Sequence, residues 1–590
     1  MTPEIPVSPV DPMPIHPAAP RATVQASLSD GRVYEAPRGT PVGALLEEAG
    51  PSGRPLGASW ADEPLVAAIV DGRLRELTTP LARDAAVSPV TAASSDGARI
   101  YRRSLAFLLI TAAAEVFPEA VIGIEHSAAT AGGYFCDVGG RAPFSQDELE
   151  SIERRMREMV EADEPIVRSV VPLAEATELF RSRGEDDKAR LLAHRRKGDL
   201  ALYELRGRRD YFQGYMVGST GVLRHFALHA FPPGFMLQFP HQSRPAELGP
   251  LAPYPKLFTV FEEAGHWLDR LGIRGAGALN DAIAAGRLPE VCLVAEALHE
   301  ARIARIASDI ANADRRIGLV FIAGPSSSGK TTFSKRLAVQ LLANGRRPLP
   351  VQLDDYFIDR ELTPRDASGQ YDFEGLQAVN LPLFNGQLRQ LMAGEPVQLP
   401  RYSFLRGRSE PGPIVSPGAD HIIIVEGIHG LNPALVPGLP GESVYRIYVS
   451  ALTQLNLDRH NRVSTTDCRL VRRIVRDAAS RGYSATDTLR RWETVTRGEK
   501  AHIFPFQEYG DAIFNSSLVY ELAVLRPVAE PLLLQVRPDS AEYVEANRLL
   551  SFLQWFLPAP PDVVPDNSIL REFVGGSILE NFRLWPGLTA

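Results

Sequence analysis

This sequence predicts an α/β architecture built on a parallel sheet, and three observations predict it. Leu319-Val320-Phe321-Ile322-Ala323 is a fully apolar run of buried-strand length. It flows into Gly324-Pro325-Ser326-Ser327-Ser328-Gly329-Lys330-Thr331-Thr332, and behind that loop Phe333, Leu337, Ala338, Leu341 and Leu342 recur at helical spacing. Two further apolar runs, Leu349–Leu353 and His421–Val425, end in acid, at Asp354-Asp355 and at Glu426. Carboxylates at the carboxyl ends of parallel strands face the crevice where such sheets bind ligands.

The pattern G-x-x-x-x-G-K-T thus stands in its strand–loop–helix setting. Gly324 and Gly329 let the backbone fold around an anion. The N–H groups of Ser326, Ser327, Ser328, Gly329 and Thr332, with the helix N-terminus, would cradle phosphates. Lys330 would reach the outer phosphates and the Thr331 hydroxyl would ligate Mg²⁺, with Glu426 beside it. A carboxylate at Asp354 is placed to accept the proton of an attacking hydroxyl. Further on, Arg469, Arg472, Arg473 and Arg476 fall on one broad helical face. In this setting such a face reads as a mobile lid bringing guanidinium groups onto a transferring phosphoryl group.

The 590 residues exceed one core, and about three or four domains are expected. Residues 1–20 hold seven prolines and no Lys or Arg, a disordered tail rather than a signal peptide. No apolar run reaches the ~18–20 residues of a membrane helix. Cys136, Cys292 and Cys468 lie far apart without metal-ligand spacing. A cytoplasmic protein with no membrane partner is expected. The net charge of -8 argues against nucleic acid as the main partner, leaving a contact through the N-terminal domains open.

Residues 21–92 alternate short strands and turns: Val24, Ala26 and Leu28, the turn Ser29-Asp30-Gly31, a helix from Gly43 to Ala49, and a strand over Pro64–Gly72. This resembles the TGS module, a ubiquitin-like β-grasp domain at the front of threonyl-tRNA synthetases. Residues 93–238 carry Tyr101–Leu109, Phe144–Glu150, Ile152–Met156 and Pro165–Arg168, and look like the α+β editing domain of the same synthetases. That family places H-x-x-x-H on its first helix and a later Cys and His. Here Arg103 and Phe107 hold the first pair of positions, and Phe212 and Met216 the second. Phe and Met offer no lone pairs to a metal or polarised water, so the site is degenerate. His225 and His229 sit in a segment that alternates like a strand. Residues 239–314 read as a helical connector, and 528–590 as a C-terminal helical segment with a helix over Glu542–Phe556.

Within 315–527 the order of motifs resembles the uridine kinase/phosphoribulokinase family, most closely its uridine–cytidine kinase branch. Asp354-Asp355-Tyr356-Phe357, Tyr371-Asp372-Phe373-Glu374, Leu399–Phe404, Glu426-Gly427-Ile428, the arginine helix and a last core strand over Gln507–Ile513 carry the likeness. The resemblance implies a P-loop kinase using ATP and Mg²⁺ on the 5′-hydroxyl of a nucleoside. Asp354 would be the general base, and Asp372 would hold the ribose hydroxyls. Phe357, Tyr402 and Phe404 would line the base site, and Arg469, Arg472 and Arg476 would serve the phosphates. The family's base-reading His falls on Gly407 and its base-reading Gln on Asp487, so the pyrimidine preference is open. Alternatives are a kinase of another small metabolite and an ATP-binding RNA- or ribosome-associated regulator. A homo-oligomer is expected.

Overall fold

The computed structural model describes residues 21–53, 59–127, 132–365, 369, 371–404, 406–418, 420–438, 443–453 and 455–582. The proline-rich 1–20 lies outside them. At the front, five strands form one sheet in the order Val33–Pro37, Thr23–Leu28, Ala85–Thr91, Leu65–Val70, Arg73–Arg75. Thr23–Leu28 and Ala85–Thr91, its first and last strands along the chain, are parallel neighbours and the other pairs antiparallel, the β-grasp arrangement. The alternation of Val24, Ala26 and Leu28 points these side chains inward against Leu45 and Leu46 of the helix Val42–Ala49.

The next unit begins with helix Ser95–Val116, whose Ser94 side chain accepts the Gly97 N–H at 3.0 Å. It packs on a four-stranded antiparallel sheet and on helix Gln146–Glu161, which carries a Ser145/Glu148 capping box. Three of the four positions that would hold editing ligands, Phe107, Phe212 and Met216, are apolar core instead. The Phe107 and Phe212 rings lie tilted with centroids 5.4 Å apart, Met216 is buried, and the Arg103 guanidinium donates to the Tyr215 carbonyl at 2.5 Å. The segment holding the two histidines is not one strand. Thr220–Val222 is a 3₁₀ turn and the strand starts at Ala227, so His225 lies before it and only His229 within it. His229 pairs with Gln238 at 2.8 Å.

Three helices, Pro255–Leu271, Ala276–Ala284 and Leu288–Ala311, lead to the second half. There five parallel strands, β1 (Leu319–Ala323), β2 (Arg347–Gln352), β3 (His421–Glu426), β4 (Val444–Ser450) and β5 (Ala512–Asn515), lie in the order β2-β3-β1-β4-β5. Helices α1 (Lys330–Ala343), α2 (Thr465–Arg476) and α3 (Ala485–His502) flank them. The Gln507–Tyr509 stretch, expected in the last strand, is 3₁₀; pairing with β4 starts only at Ala512. One apolar core runs from Phe180 and Leu192 through the connector residues Leu279 and Ile303 to β1, α1, α2 and the C-terminal Leu570. The two halves are therefore packed as one body rather than strung as beads.

A buried charged knot ties them further. Lys188 pairs with Asp210, and His460 Nδ1 lies 2.7 Å from Lys188 Nζ and 2.9 Å from Asp210 Oδ2. Burial alone would raise the Asp210 carboxyl; Lys188 and His460 hold it well below its usual range. Asn456 donates to the carbonyls of Ile124 and Glu125, and Arg459 pairs with Asp187 at 2.6 Å. The segment 456–463 is thus seated in the front half, and α2 follows directly. Removing one partner leaves the other charge buried, so Asp210→Ala is expected to cost about 3–5 kcal/mol in denaturant unfolding. An unchanged midpoint would show that the knot contributes nothing.

Candidate functional site

The loop after β1 curls because two of its residues take left-handed backbone angles, Ser327 at φ 58° and Gly329 at φ 83°. Glycine is needed at the second turn and at Gly324, where a β-carbon would run into the Val449 carbonyl. The Ser327 and Ser328 hydroxyls are buried without a hydrogen-bond partner, polar groups left for a ligand to satisfy. Lys330 Nζ rests 3.1 Å from the Pro325 carbonyl.

Around this loop the structure gathers Asp354 at the end of β2, Glu426 at the end of β3, and the arginines of α2. Thr331 Oγ1 donates to Glu426 Oε2 at 3.4 Å. Burial pushes the Glu426 carboxyl up to about 7 against the pull of Lys330, and burial raises Glu374 to about 7, with Glu499 next to it adding to the rise. Asp354 is reachable from the crevice, yet the protein around it raises its carboxyl against Lys330, Arg481 and Arg476. No group of three or more His, Cys, Asp or Glu among the described residues is placed to hold a metal alone. Thr331 and Glu426 fit a Mg²⁺ that takes its remaining ligands from phosphates and water.

The arginines differ from the expected mobile lid. Arg469 and Arg472 are among the most buried side chains in the chain. Arg469 pairs with Glu499 and donates to the Ser326 carbonyl at 2.9 Å. Arg472 pairs with Glu521, donates to the Ser516 carbonyl at 2.8 Å and reaches the Ser327 carbonyl at 3.4 Å. Arg473 donates to Ser326 Oγ at 2.7 Å. Charges this buried are stable only when paired, and here the pairing clamps α2 onto the loop. Arg476 stays by Asp477 at 3.3 Å, close enough for its charge to act on Asp354.

The substrate side is an aromatic cluster. Phe357 and Tyr402 lie 5.7 Å apart, Tyr402 and Phe404 5.1 Å, both near perpendicular. Phe404 is 60% exposed and free to stack, whereas Tyr402 is buried. Asp372 Oδ1 caps its own turn, accepting the N–H groups of Glu374 and Gly375 at 3.2 and 3.0 Å. Gly407 takes φ 68°, and a β-carbon there would lie 2.9 Å from Arg360 Nε. The Arg360 side chain therefore stands where a residue at 407 would project. Asp487, expected on the base edge, is instead engaged as the N3 residue of α3, exchanging hydrogen bonds with Ser484 in a capping box on an exposed surface.

Two site groups escape motif reading altogether. Glu499, in the last turn of α3, accepts the Ser326 N–H at 2.8 Å. Glu572, in the C-terminal segment, accepts the Thr332 N–H at 3.2 Å and its hydroxyl at 2.9 Å. Beside it, a β-carbon on Gly329 would lie 2.5 Å from Ile569 Cγ2, and Lys335 Nζ donates to the Leu579 carbonyl at 2.7 Å. Both carboxylates take donors that a phosphate chain uses. Their only sequence signal is an acid in an amphipathic helix or tail.

Two outcomes follow from these charges. Glu572→Gln removes a negative charge from the Thr332 donors and is expected to tighten nucleotide binding about tenfold, a 1.4 kcal/mol change, in a fluorescence titration. Unchanged or weaker binding contradicts this. Glu374 and Glu426 carry folded pKa values above the ordinary 4.5. Their stabilisation is full below about pH 4.5 and is lost as pH rises through about 7. Without nucleotide the melting midpoint should fall across that window, and Glu374→Gln should flatten the fall.

Residues 319–522 match the family model described as Phosphoribulokinase / Uridine kinase family. The N-terminal region matches threonine--tRNA ligases: 39% identity over 160 residues in Polaromonas naphthalenivorans, and 37% over 161 in Polynucleobacter asymbioticus. Each alignment covers 27% of this chain and 25% of the ligase, so the chain spans about a quarter of the length of the curated relatives it matches. Among solved structures, one titled as a possible uridine kinase from Bacillus stearothermophilus aligns at 24% identity over 25% of this chain and 78% of its own, TM-score 0.22. No helix among the described residues is long and apolar enough to cross a membrane. Residues 319–522, from β1 into the helix after β5, thus carry a P-loop fold similar to the phosphoribulokinase and uridine kinase family, behind a front region similar to threonine--tRNA ligases.

Proposed function

We propose that the chain transfers the γ-phosphoryl group of ATP to the 5′-hydroxyl of a nucleoside. The observation that carries this reading is Asp354, just past the carboxyl end of β2 within charge range of Lys330, with Phe357 from the same strand end meeting Tyr402 and Phe404 of the strand Val397–Ser403 and its turn. A general base, a phosphate-facing lysine and a flat apolar wall are then side by side, as in-line transfer to a sugar hydroxyl beside a base requires.

Asp354 accepts the proton of the hydroxyl, and its raised pKa brings it nearer to the working pH of a base. Lys330 and the loop N–H groups hold charge on the phosphates, and Arg476 adds positive field at the crevice. Mg²⁺, held by Thr331 and Glu426, would supply further neutralisation of that charge. Phe404 offers a stacking face. With Asp487 engaged in a helix cap and Gly407 bearing no side chain, Arg360 stands beside Phe404, donating to its main-chain carbonyl at 2.5 Å. A cation here favours a base edge rich in acceptors. The front half is read as a regulatory module.

A second reading, an ATP-binding regulator acting on RNA without a small phosphorylated product, is supported by the ligase-like front. The two separate in one assay. ADP release with Mg²⁺ and ATP is measured across a panel of nucleosides, with Asp354→Asn alongside. The kinase reading expects one nucleoside to raise turnover, and kcat to fall by about 10²–10⁴ in the variant with nucleotide affinity kept. No nucleoside-dependent turnover, with ATP still bound, favours the regulator.

A further inference from the structure

The C-terminal segment runs along the phosphate loop and α1. Ser568, Ile569 and Leu570 are fully buried, and the Arg472 guanidinium stands over the Phe573 ring at 5.0 Å. From this anchor the single helical turn Arg571–Val574 carries Glu572 to Thr332, accepting its N–H at 3.2 Å and its hydroxyl at 2.9 Å. Gly575 and Gly576 then take left-handed angles, φ 83° and 72°, and the chain turns back along α1. There Lys335 Nζ donates to the Leu579 and Glu580 carbonyls at 2.7 and 3.1 Å. Most of this last stretch is exposed, Ile578 at 65%. It is held by few contacts, the condition for local opening.

The Glu572 contact is not an ordinary local cap. Gly329, at the N-cap of α1, offers no side chain, and the first turn of α1 holds no acid. The local sequence leaves these donors for an anion, and the anion that takes them comes from 240 residues away. At the other end of the loop Glu499 takes the Ser326 N–H. Between them the Ser327 and Ser328 hydroxyls stay without a partner. The chain's own carboxylates therefore fill both ends of the loop and leave its middle open. Glu572 also adds to the acids beside it: burial first, then Asp354 and Glu572, raise the Glu426 carboxyl against Lys330. Each of these negative charges repels the phosphates that a nucleotide brings.

The Thr332 N–H is one donor and serves either a phosphate oxygen or Glu572. We propose that residues 568–582 form an autoinhibitory strap. Without nucleotide, Glu572 occupies the phosphate loop; nucleotide binding displaces the turn Arg571–Val574 while Ile569 and Leu570 stay seated as its hinge. What opens is small. The N–H groups of Glu572, Phe573, Val574 and Gly575 donate to the carbonyls of Ile569, Leu570, Leu570 and Arg571 at 3.1, 3.0, 3.1 and 2.9 Å. Such competition weakens apparent nucleotide affinity by the fraction of chains that are open. The strap rests on the loop being a nucleotide site and is independent of which acceptor is phosphorylated.

The test follows amide hydrogen exchange by mass spectrometry in the full chain, on peptides covering residues 569–578, with and without ADP and Mg²⁺. Nucleotide is expected to quicken exchange at 572–575 about tenfold or more, while slowing it at 330–333. In Glu572→Gln the same four amides should already exchange faster without nucleotide, and ADP should quicken them less than about threefold further. Tighter binding by this variant alone would fit a fixed acidic wall as well as a strap; the exchange separates them. ADP bound with exchange at 572–575 unchanged or slowed makes the segment a fixed wall and overturns the proposal. Binding of ADP by Glu572→Gln but not by the unsubstituted chain supports the strap in its tightest form. Binding by neither chain overturns the nucleotide reading of the loop, and the strap with it.

Discussion

The carboxylate of Glu499 is the point on which the site turns. Buried between the Ser326 N–H and the Arg469 guanidinium, it joins α3, α2 and the phosphate loop in one contact. A charge in that position is stable only while both partners remain, so any movement of α2 or α3 is felt at the loop. Arg472, paired with Glu521 and bonded to the Ser516 carbonyl, repeats the arrangement one turn along and adds the loop after β5. The loop is held from three sides by long-range pairs, in a conformation where protein carboxylates take donors that phosphates need.

That arrangement gives the front half a physical route to the site. The segment 456–463 is seated by Asn456, Arg459 and His460 in the domain related to threonine--tRNA ligases, and it leads straight into α2. The N-terminus of the helix bearing Arg469, Arg472 and Arg473 is therefore anchored to the front half. Phe107, Phe212 and Met216 make the position expected to hold editing ligands a packing core, and the Phe212 ring stacks on His460 at 6.1 Å.

Local chemistry made much of this legible in the sequence, and long-range pairing accounts for what was not. The strand–loop–helix around Gly324–Thr332 and the strands ending at Asp354 and Glu426 are written in consecutive residues, because apolar period and glycine placement act within a few positions. The β-grasp front is legible for the same reason, in the alternation of Val24, Ala26 and Leu28. The arginine run showed a helix but not its burial, since Glu499 and Glu521 lie 30 and 49 residues away in the chain. Asp487 looked like a binding residue by alignment to a motif, whereas Ser484 three positions earlier makes it a capping box. Glu572 reaches Thr332 across 240 residues, beyond any local pattern.

The most direct test follows the phosphorus atom. The full chain, Mg²⁺, a nucleoside mixture and ATP labelled with ¹⁸O on the γ-phosphoryl group are incubated together, and the products are weighed by mass spectrometry. The account predicts a nucleoside 5′-monophosphate carrying the label, absent with Asp354→Asn. Label found only in inorganic phosphate, or retained in ATP, would contradict it.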